Sequence, residues 1–175
     1  MSDTVAAGVS PAGRAKGSTL SGGAWMVRRA SPADAKGVAA AVHELLLELG
    51  GTPSTPKAME AAAATLIDSP WAGAVLVAQA SKALVGVLAA SWQMAIHVPG
   101  SYALIQDLWV HPSWRSRSVG AGLLQALFEL AVAKGFERVE VGLPRESFAR
   151  FASTESFYLE NGFAPNGPRM RRILS

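Results

Sequence analysis

A short loop between positions 114 and 123 contains the residues whose types and spacing best suit chemistry. Two arginines in it, Arg115 and Arg117, alternate with small residues. The small residues are Ser116, Ser118, Gly120, Ala121 and Gly122. The first N–H groups of a helix lack acceptors and lie at the positive end of its dipole, so a helix beginning here would attract an anion. The loop therefore fits a diphosphate, although a solvated basic turn before an amphipathic helix explains the same residues.

This loop differs from two common phosphate-binding motifs. No Gly-Lys-Ser or Gly-Lys-Thr follows its glycines, so it is not a P-loop. The Gly-x-Gly-x-x-Gly fingerprint of dinucleotide-binding folds is absent as well. These differences disfavour a nucleotide hydrolase and a Rossmann dehydrogenase.

The elements on either side must place this loop between a strand and a helix. The segment Tyr102–Val110 is predicted to be a strand that ends at a His-Pro pair, because proline cannot donate to a β-ladder. The segment Ser118–Lys134 is predicted to be a helix, which Gly135 ends. Its apolar positions recur at helical spacing: Leu123, Leu124, Leu127 and Leu130.

The rest of the chain alternates strand and helix patterns. The predicted strands are Trp25–Arg29, Ala74–Ala78, Ala83–Met94, Arg138–Leu143 and, after Phe163, Met170–Leu174. The predicted helices run from Ser31 to Leu49, from Thr55 to Asp68 and from Ser153 to Asn161. A turn is predicted at positions 98–101. The order β α α β β β α β α β indicates an α/β protein.

Length and composition limit the classes of protein. A chain of 175 residues suggests one domain; residues 1–24, rich in glycine and without aromatic residues, are predicted to be a flexible tail before a domain at 25–175. The absence of cysteine excludes thiolate metal sites and a cysteine nucleophile, and fits the reducing cytoplasm where we expect the protein. A net charge of +3 without a dense basic stripe disfavours nucleic acid as a partner. No apolar run reaches the roughly 18 residues that span a membrane.

Two motifs together resemble the GNAT superfamily of acyl-CoA-dependent N-acyltransferases. Its members carry a strand like L-x-V and then a loop like P-x-(Y/W)-R-G-x-G-x-G that opens a helix. Here Leu108-Trp109-Val110 precedes Pro112-Ser113-Trp114-Arg115-Ser116-Arg117-Ser118-Val119-Gly120. The family often shows A-x-x-F-Y-x-x-x-G-F further on, which Thr154–Phe163 resembles. A weaker likeness, around Gln106 and Glu44, is to the diamine and polyamine acetyltransferase branch.

The resemblance implies a fold and a cofactor. The fold is a mixed, mostly antiparallel central sheet flanked by helices, whose fourth and fifth strands splay apart to hold acetyl-CoA, the acyl donor. The residues implied to bind it are Leu108, Trp109, Val110, Arg115, Ser116, Arg117, Ser118, Val119, Gly120 and Ala121. A backbone N–H near Leu108 to Val110 is implied to stabilise the oxyanion. No metal is expected, because His43, His97 and His111 fall on separate elements.

The sequence departs from the family at Ser116, Ser118 and Phe151. Serines replace two loop glycines, and we expect Ser118 to have an ordinary φ and to cap the helix. A second alignment, Arg117-x-x-Gly120-x-Gly122, shifts the register by two residues and fits the helical leucines less well. Phe151 stands where the family often has a polar residue, so a cofactor contact there is in doubt.

Proton transfer needs both an acid and a base. The resemblance implies that Tyr158 protonates the leaving thiolate; the alternative is a core tyrosine beside Phe157. Gln106 is an amide and cannot act as a base, which leaves Asp107 as base, directly or through water, or as a structural acid. Side chains alternate along a strand, so Asp107 needs a β-bulge to face the same way as Gln106. Glu44, Glu48, Gln106 and Glu140 are candidates for holding a cationic substrate, although each of the three glutamates also suits a solvated surface.

The reaction implied by the resemblance is transfer of an acetyl group to the primary amine of a small molecule by direct attack. The acceptor pocket is expected to be lined by the first two helices and by the loops at 92–101 and 144–152, which carry no recognised motif. Two alternatives stay open, a protein or peptide N-acetyltransferase and an acyl-CoA-binding module that has lost catalysis. A homodimer is compatible with the family, while neither nucleic acid nor membrane is expected as a partner.

Overall fold

A computed structural model describes residues 24–96 and 98–167. The strands are β1 (Met26–Arg29), β2 (Gly73–Ala80), β3 (Ala83–Ala95), β4 (Val98–Val110) and β5 (Val139–Val141). The helices are α1 (Ala35–Glu48), α2 (Pro56–Ile67), α3 (Val119–Ala133) and α4 (Phe151–Glu160). Short 3-10 turns cover Pro32–Asp34 and Pro112–Trp114. The predicted tail, except for its last residue, lies outside the described residues. His97 and the predicted strand Met170–Leu174 lie outside them as well.

The five strands form one sheet in the order β1-β2-β3-β4-β5. Its first three pairings are antiparallel and the β4–β5 pairing is parallel, which confirms the predicted mixed sheet flanked by helices. Parallel pairing runs only from Ala103 opposite Val139 to Ile105 opposite Val141. Beyond Ile105 the two strands are no longer paired, so β5 is shorter than the predicted Arg138–Leu143. The result is a gap in the sheet between the ends of β4 and β5.

A β-bulge interrupts β4 at the start of this gap. Ala89 of β3 lies opposite Asp107, whereas Ala90 lies opposite Ile105, so Gln106 is the extra residue. An extra residue reverses the alternation of side chains on the bulged strand. Ile105 accordingly packs with the core on the α3 side, and Trp109 packs with the core on the α1 side.

The β3–β4 hairpin is longer than expected. The predicted turn at 98–101 is wrong, because β4 already begins at Val98 and Ser101 pairs with Met94. A register shift between Met94 and Ala95 accompanies a positive φ of 105° at Gly100. Glycine adopts this conformation without a steric penalty, so the irregular pairing continues the strand where a separate turn was expected.

Two apolar cores cover the two faces of the sheet. On one face the largest fully buried side chains are Leu88 of β3 and Leu123, Leu124 and Leu127 of α3, and Tyr158 of α4 joins them. On the other face Val38 and Ala41 of α1 pack against Val77, Val87 and Trp109. Three of the four leucines predicted for the apolar side of α3 are thus in the core, and Leu130 is not among its buried residues. No helix in the described residues is long and apolar enough to cross a membrane.

A network of polar contacts fixes the start of α1. The Asp34 carboxylate accepts hydrogen bonds from the Ser31 N–H and hydroxyl, each at 2.7 Å. Arg28 of β1 donates to both oxygens of the same carboxylate, at 2.7 and 2.9 Å. The Arg28 guanidinium holds the pKa of Asp34 well below its usual range, and the Ser31 bonds add to this. This network ties α1 to the edge of the sheet and so orients the far end of the helix.

Candidate active site

A cavity of about 680 Å³ passes through the gap between β4 and β5. Residues from both faces of the sheet line it. We call Arg115–Ala121 the loop wall, of which all but Arg117 line the cavity. We call Leu45, Glu48 and Leu49 the α1 wall. A molecule bound in the gap would therefore contact both walls at once.

The loop wall contains two serines in the left-handed backbone conformation. Ser116 has a φ of 59° and Ser118 a φ of 60°. The expectation that Ser118 has an ordinary φ and caps the helix is wrong: its side chain makes no capping hydrogen bond. The backbone must turn sharply to enter α3, and the family motif has glycine at these two positions. Left-handed residues in such a turn direct successive N–H groups inward, which creates an anion site.

The helix begins directly after this turn. The Gly122 N–H donates to the Ser118 carbonyl at 2.9 Å, the first bond of α3. Within the described residues, the N–H groups of Val119, Gly120 and Ala121 have no acceptor. The loop wall therefore offers unpaired donors to an anion in the cavity. A helix start at Val119 favours the first of the two sequence alignments.

The two glycines of α3 each leave room for a different aromatic ring. A Cβ at Gly120 would lie 3.1 Å from the Phe157 ring of α4, so glycine lets this ring lie against the helix start. A Cβ at Gly122 would overlap the Trp25 ring. Gly122 does not line the cavity, and its small size is explained by packing against Trp25.

The two loop arginines have partners within the protein. Arg115 Nε donates to the Val110 carbonyl at 3.0 Å, and its Nη2 lies 2.6 Å from the Glu48 carboxylate. The Arg117 guanidinium lies over the Trp114 ring, 5.2 Å from its centroid. Arg115 lines the cavity and Arg117 does not. Arg115 therefore joins the loop wall to the α1 wall and neutralises Glu48.

Tyr158 of α4 contributes to the cavity from the core on the α3 side. Its side chain lines the cavity, and the residue is only 8% exposed. Its ring makes edge contacts with Phe157 and Phe163, with centroid distances of 5.2 and 5.3 Å. Burial raises the pKa of the Tyr158 phenol well above its usual range. The phenol therefore stays protonated at neutral pH and can donate a hydrogen bond.

The structure separates the two β4 residues that were considered for the amine. Gln106, the bulged residue, lines the cavity, and its Nε2 donates to the Ser91 hydroxyl at 2.8 Å. Asp107 does not line the cavity; it lies opposite Ala89, on the face that α1 and α2 cover. Burial raises the pKa of Asp107. The bulge that Asp107 would need is present, but Gln106 is its extra residue and lines the cavity, so Asp107 as the base stays a prediction.

Two residues that were predicted to hold the substrate, Glu44 and Glu140, do not line the cavity, and neither does Phe151. Glu44 is on α1 but does not line it. Glu140 contacts Arg138 at 3.4 Å and Asn166 at 3.3 Å, and it lines a second cavity beside β5. Phe151 also lines this second cavity. The side chain that replaces the family's polar residue thus points away from the candidate site.

Several lining residues were not singled out in the sequence. They are Leu45, Leu49, Leu143, Pro144, Phe148 and Arg150. The first helix and the loop at 144–152 were expected to line the acceptor pocket, but the individual residues belong to an ordinary amphipathic pattern or follow no motif. The second helix and the segment 92–101, also expected there, contribute no lining residue among those described. Trp109 was predicted to bind the cofactor; it lines the cavity, and its buried indole N–H has no partner in the part of the chain described. No group of three or more metal-ligating side chains occurs among the described residues.

The family of the chain follows from comparison with known proteins. The model of the acetyltransferase (GNAT) family matches residues 39–163, which cover both sequence motifs. The chain therefore belongs to the GNAT family of acyl-CoA-dependent N-acetyltransferases. No curated protein matches this sequence.

Solved structures support the same fold. A protein of Arthrobacter sp. FB24 described as an acetyltransferase is 26% identical, with 90% of this chain and 99% of that chain covered and a TM-score of 0.72. A protein of Clostridium difficile 630, also described as an acetyltransferase, is 14% identical, with 86% and 98% covered and a TM-score of 0.72. The aminoglycoside N-acetyltransferase AAC(6')-Iy in complex with CoA is 16% identical, with 89% and 98% covered and a TM-score of 0.71. At 14% and 16% identity the last two show the fold alone.

Proposed function

We propose that this protein transfers the acetyl group of acetyl-CoA to the primary amine of a small molecule. The observation that carries the proposal is the cavity in the gap of the sheet. It is lined by backbone N–H groups that have no acceptor within the described part of the chain, and by a buried, protonated tyrosine. Family membership supplies the acyl-CoA chemistry.

The loop wall fits the diphosphate of acetyl-CoA. The N–H groups at the start of α3 supply donors without any side chain, and the helix dipole adds to their attraction for anions. Small residues at Ser116, Ser118 and Gly120 let a phosphate come close to the backbone. Arg115 contributes little charge here, because Glu48 neutralises it. The diphosphate is thus held mainly by the backbone.

In the proposed reaction the neutral amine attacks the thioester carbonyl carbon. A carbon–nitrogen bond forms and the carbon–sulfur bond breaks, and the carbonyl oxygen is stabilised by a backbone N–H of β4 between Leu108 and Val110. The Tyr158 phenol gives its proton to the leaving sulfur. Because its pKa is raised, this transfer proceeds only as negative charge develops on sulfur, and the tyrosine is afterwards reprotonated from solvent.

The nitrogen must lose a proton during the same reaction. Gln106 is at the cavity and its amide can orient the amine, but it cannot accept the proton. Asp107, whose raised pKa suits a base, would act through water or after a local movement, since it does not line the cavity. We therefore propose Asp107 as the base, acting through water or after a local movement.

The test is release of free thiol from acetyl-CoA with a panel of amines, with mass spectrometry of the acetylated products. The panel contains small monoamines, polyamines, aminoglycosides and peptides with free N-termini, and a reaction without amine is the control. Amine-dependent thiol release with acetylated small amines supports the proposal. Acetylation of peptides alone would show the protein or peptide alternative. Tight acetyl-CoA binding without thiol release would show a binding module.

A further inference from the structure

The side of the cavity beside α1 is apolar. Cores on opposite faces of the sheet contain α1 and α3, and the cavity connects these faces through the gap. If the loop wall holds acetyl-CoA from the α3 side, the acceptor must enter from the α1 side. Leu45 and Leu49 line the cavity on that side. Leu143, Pro144 and Phe148, which follow β5 at the edge of the gap, add further apolar surface.

The carboxylate of the α1 wall already forms an ion pair with Arg115. Glu48 lies 2.6 Å from Arg115, and the two side chains are only 32% and 23% exposed. Arg115 is also held by the Val110 carbonyl, so it stays in position against Glu48. Among the described residues, the other carboxylate that lines the cavity is Glu160, on α4 at the opposite face. Arg150 lines the cavity as well and adds positive charge.

On the α1 side of the cavity a polycation would lose hydration without gaining a free carboxylate in return, because Glu48 is paired with Arg115. Charged groups are costly to bury unless they are paired, whereas apolar surface gains from leaving water. We infer that the acceptor is a primary monoamine with an apolar body, and that the Arg115–Glu48 pair excludes polyamines and aminoglycosides. This inference rests on the proposed function, since it names the acceptor of that reaction.

The first experiment compares hexylamine with cadaverine, its isostere that carries a second amine. Both have the same number of heavy atoms, so cavity volume does not distinguish them. We expect kcat/KM for thiol release to be at least about tenfold higher with hexylamine, because the second ammonium of cadaverine meets no unpaired carboxylate among the described residues on the α1 side. An equal or higher kcat/KM with cadaverine would overturn the inference and leave the proposed function intact. Absence of thiol release with any amine would overturn the proposed function itself.

The second experiment frees the Glu48 carboxylate. Arg115→Met should shift the ratio of kcat/KM towards cadaverine by about fivefold or more, because an unpaired carboxylate attracts the second ammonium. Adding Glu48→Gln to the same variant should abolish the shift. Arg29→Met, on the exposed edge strand, is the matched control and should leave the ratio unchanged.

A third variant covers the case in which Arg115→Met does not fold. Leu49→Glu adds a carboxylate to the α1 wall while keeping both members of the ion pair, and it should shift the ratio in the same direction. Glu60→Gln on α2 is its control for a change of charge outside the cavity. An unchanged ratio in folded Leu49→Glu would contradict an acceptor on the α1 wall.

Discussion

The two walls of the cavity are built on different principles. The loop wall presents backbone N–H groups from consecutive residues, and it depends on left-handed conformations at Ser116 and Ser118. The α1 wall presents side chains from a regular helix, and one of them, Glu48, is ion-paired with Arg115. A site made of backbone can bind the same chemical group in many proteins, whereas a site made of side chains changes with each substitution. We therefore expect the loop wall to define the cofactor and the α1 wall to define the acceptor.

Tyr158→Phe should have the largest effect, because the phenol of Tyr158 is the proposed acid and the residue lines the cavity that both walls form. Loss of a general acid typically costs about a hundredfold to ten-thousandfold in rate, and we expect a fall of kcat in that range. Acetyl-CoA affinity measured by calorimetry should be unchanged, since the ring remains in place. A variant with normal kcat would refute the role of the phenol.

Gly120→Val tests whether the loop wall binds the cofactor while the α1 wall binds the acceptor. The first atom of the new side chain would already lie 3.1 Å from the Phe157 ring, and the valine methyls would displace the start of α3. We expect acetyl-CoA to bind at least about tenfold more weakly, because the N–H groups lose their common direction. Leu49→Ala is the matched variant of the α1 wall, and it should raise the KM of the acceptor without changing acetyl-CoA affinity. If both variants changed the same constant, the two walls would not have separate roles.

Ser118→Val and Ser118→Gly test the strain in the loop wall. A β-branched residue is costly in the left-handed region, so valine should lower the free energy of unfolding by about 1–2 kcal/mol. Glycine adopts this conformation freely, and it should raise stability by about 0.5–1 kcal/mol after its larger entropy loss is subtracted. Denaturant unfolding measures both changes. Stabilisation by valine would contradict the left-handed conformation of Ser118.

The last prediction concerns the anchor of α1 at Asp34, which lies outside both walls. Its lowered pKa means that the folded state binds its proton less readily than the unfolded state. The resulting stability is present above the ordinary aspartate pKa of about 4 and is lost as the pH falls below it. Because Arg28 is substantially exposed to solvent, Asp34→Asn should cost only about 1 kcal/mol at pH 7. Urea unfolding at pH 7 and near pH 3 should show the difference between wild type and variant shrink at the lower pH.

Much of the fold could be predicted from the sequence. The leucines of α3 and the Ser31–Asp34 start of α1 are local patterns, and the structure has helices at both places. The loop between β4 and α3 could be found because its function depends on small residues at fixed spacing. What local patterns did not provide was the pairing of strands: β5 is short because β4 leaves it after Ile105, and this depends on residues far apart in sequence.

The candidate site was predictable only in part for the same reason. Serine rarely adopts a left-handed conformation, so an ordinary φ at Ser118 was the reasonable expectation, and the required turn overrides it. Arg115 was assigned to the diphosphate because of its position in the loop, but its partner Glu48 comes from the distant α1. The apolar residues of the α1 wall look like any amphipathic helix. Their role depends on the gap, which exists only in the folded sheet.

The most direct test of the central claim is an amide NMR titration of the protein with CoA. The claim is that the backbone N–H groups of the loop wall hold the diphosphate. We predict that the amide resonances of Val119, Gly120 and Ala121 shift most strongly on addition of CoA, while those of Arg28 and Asp34 stay in place. CoA binding that leaves the amides of the α3 start unshifted would contradict the account.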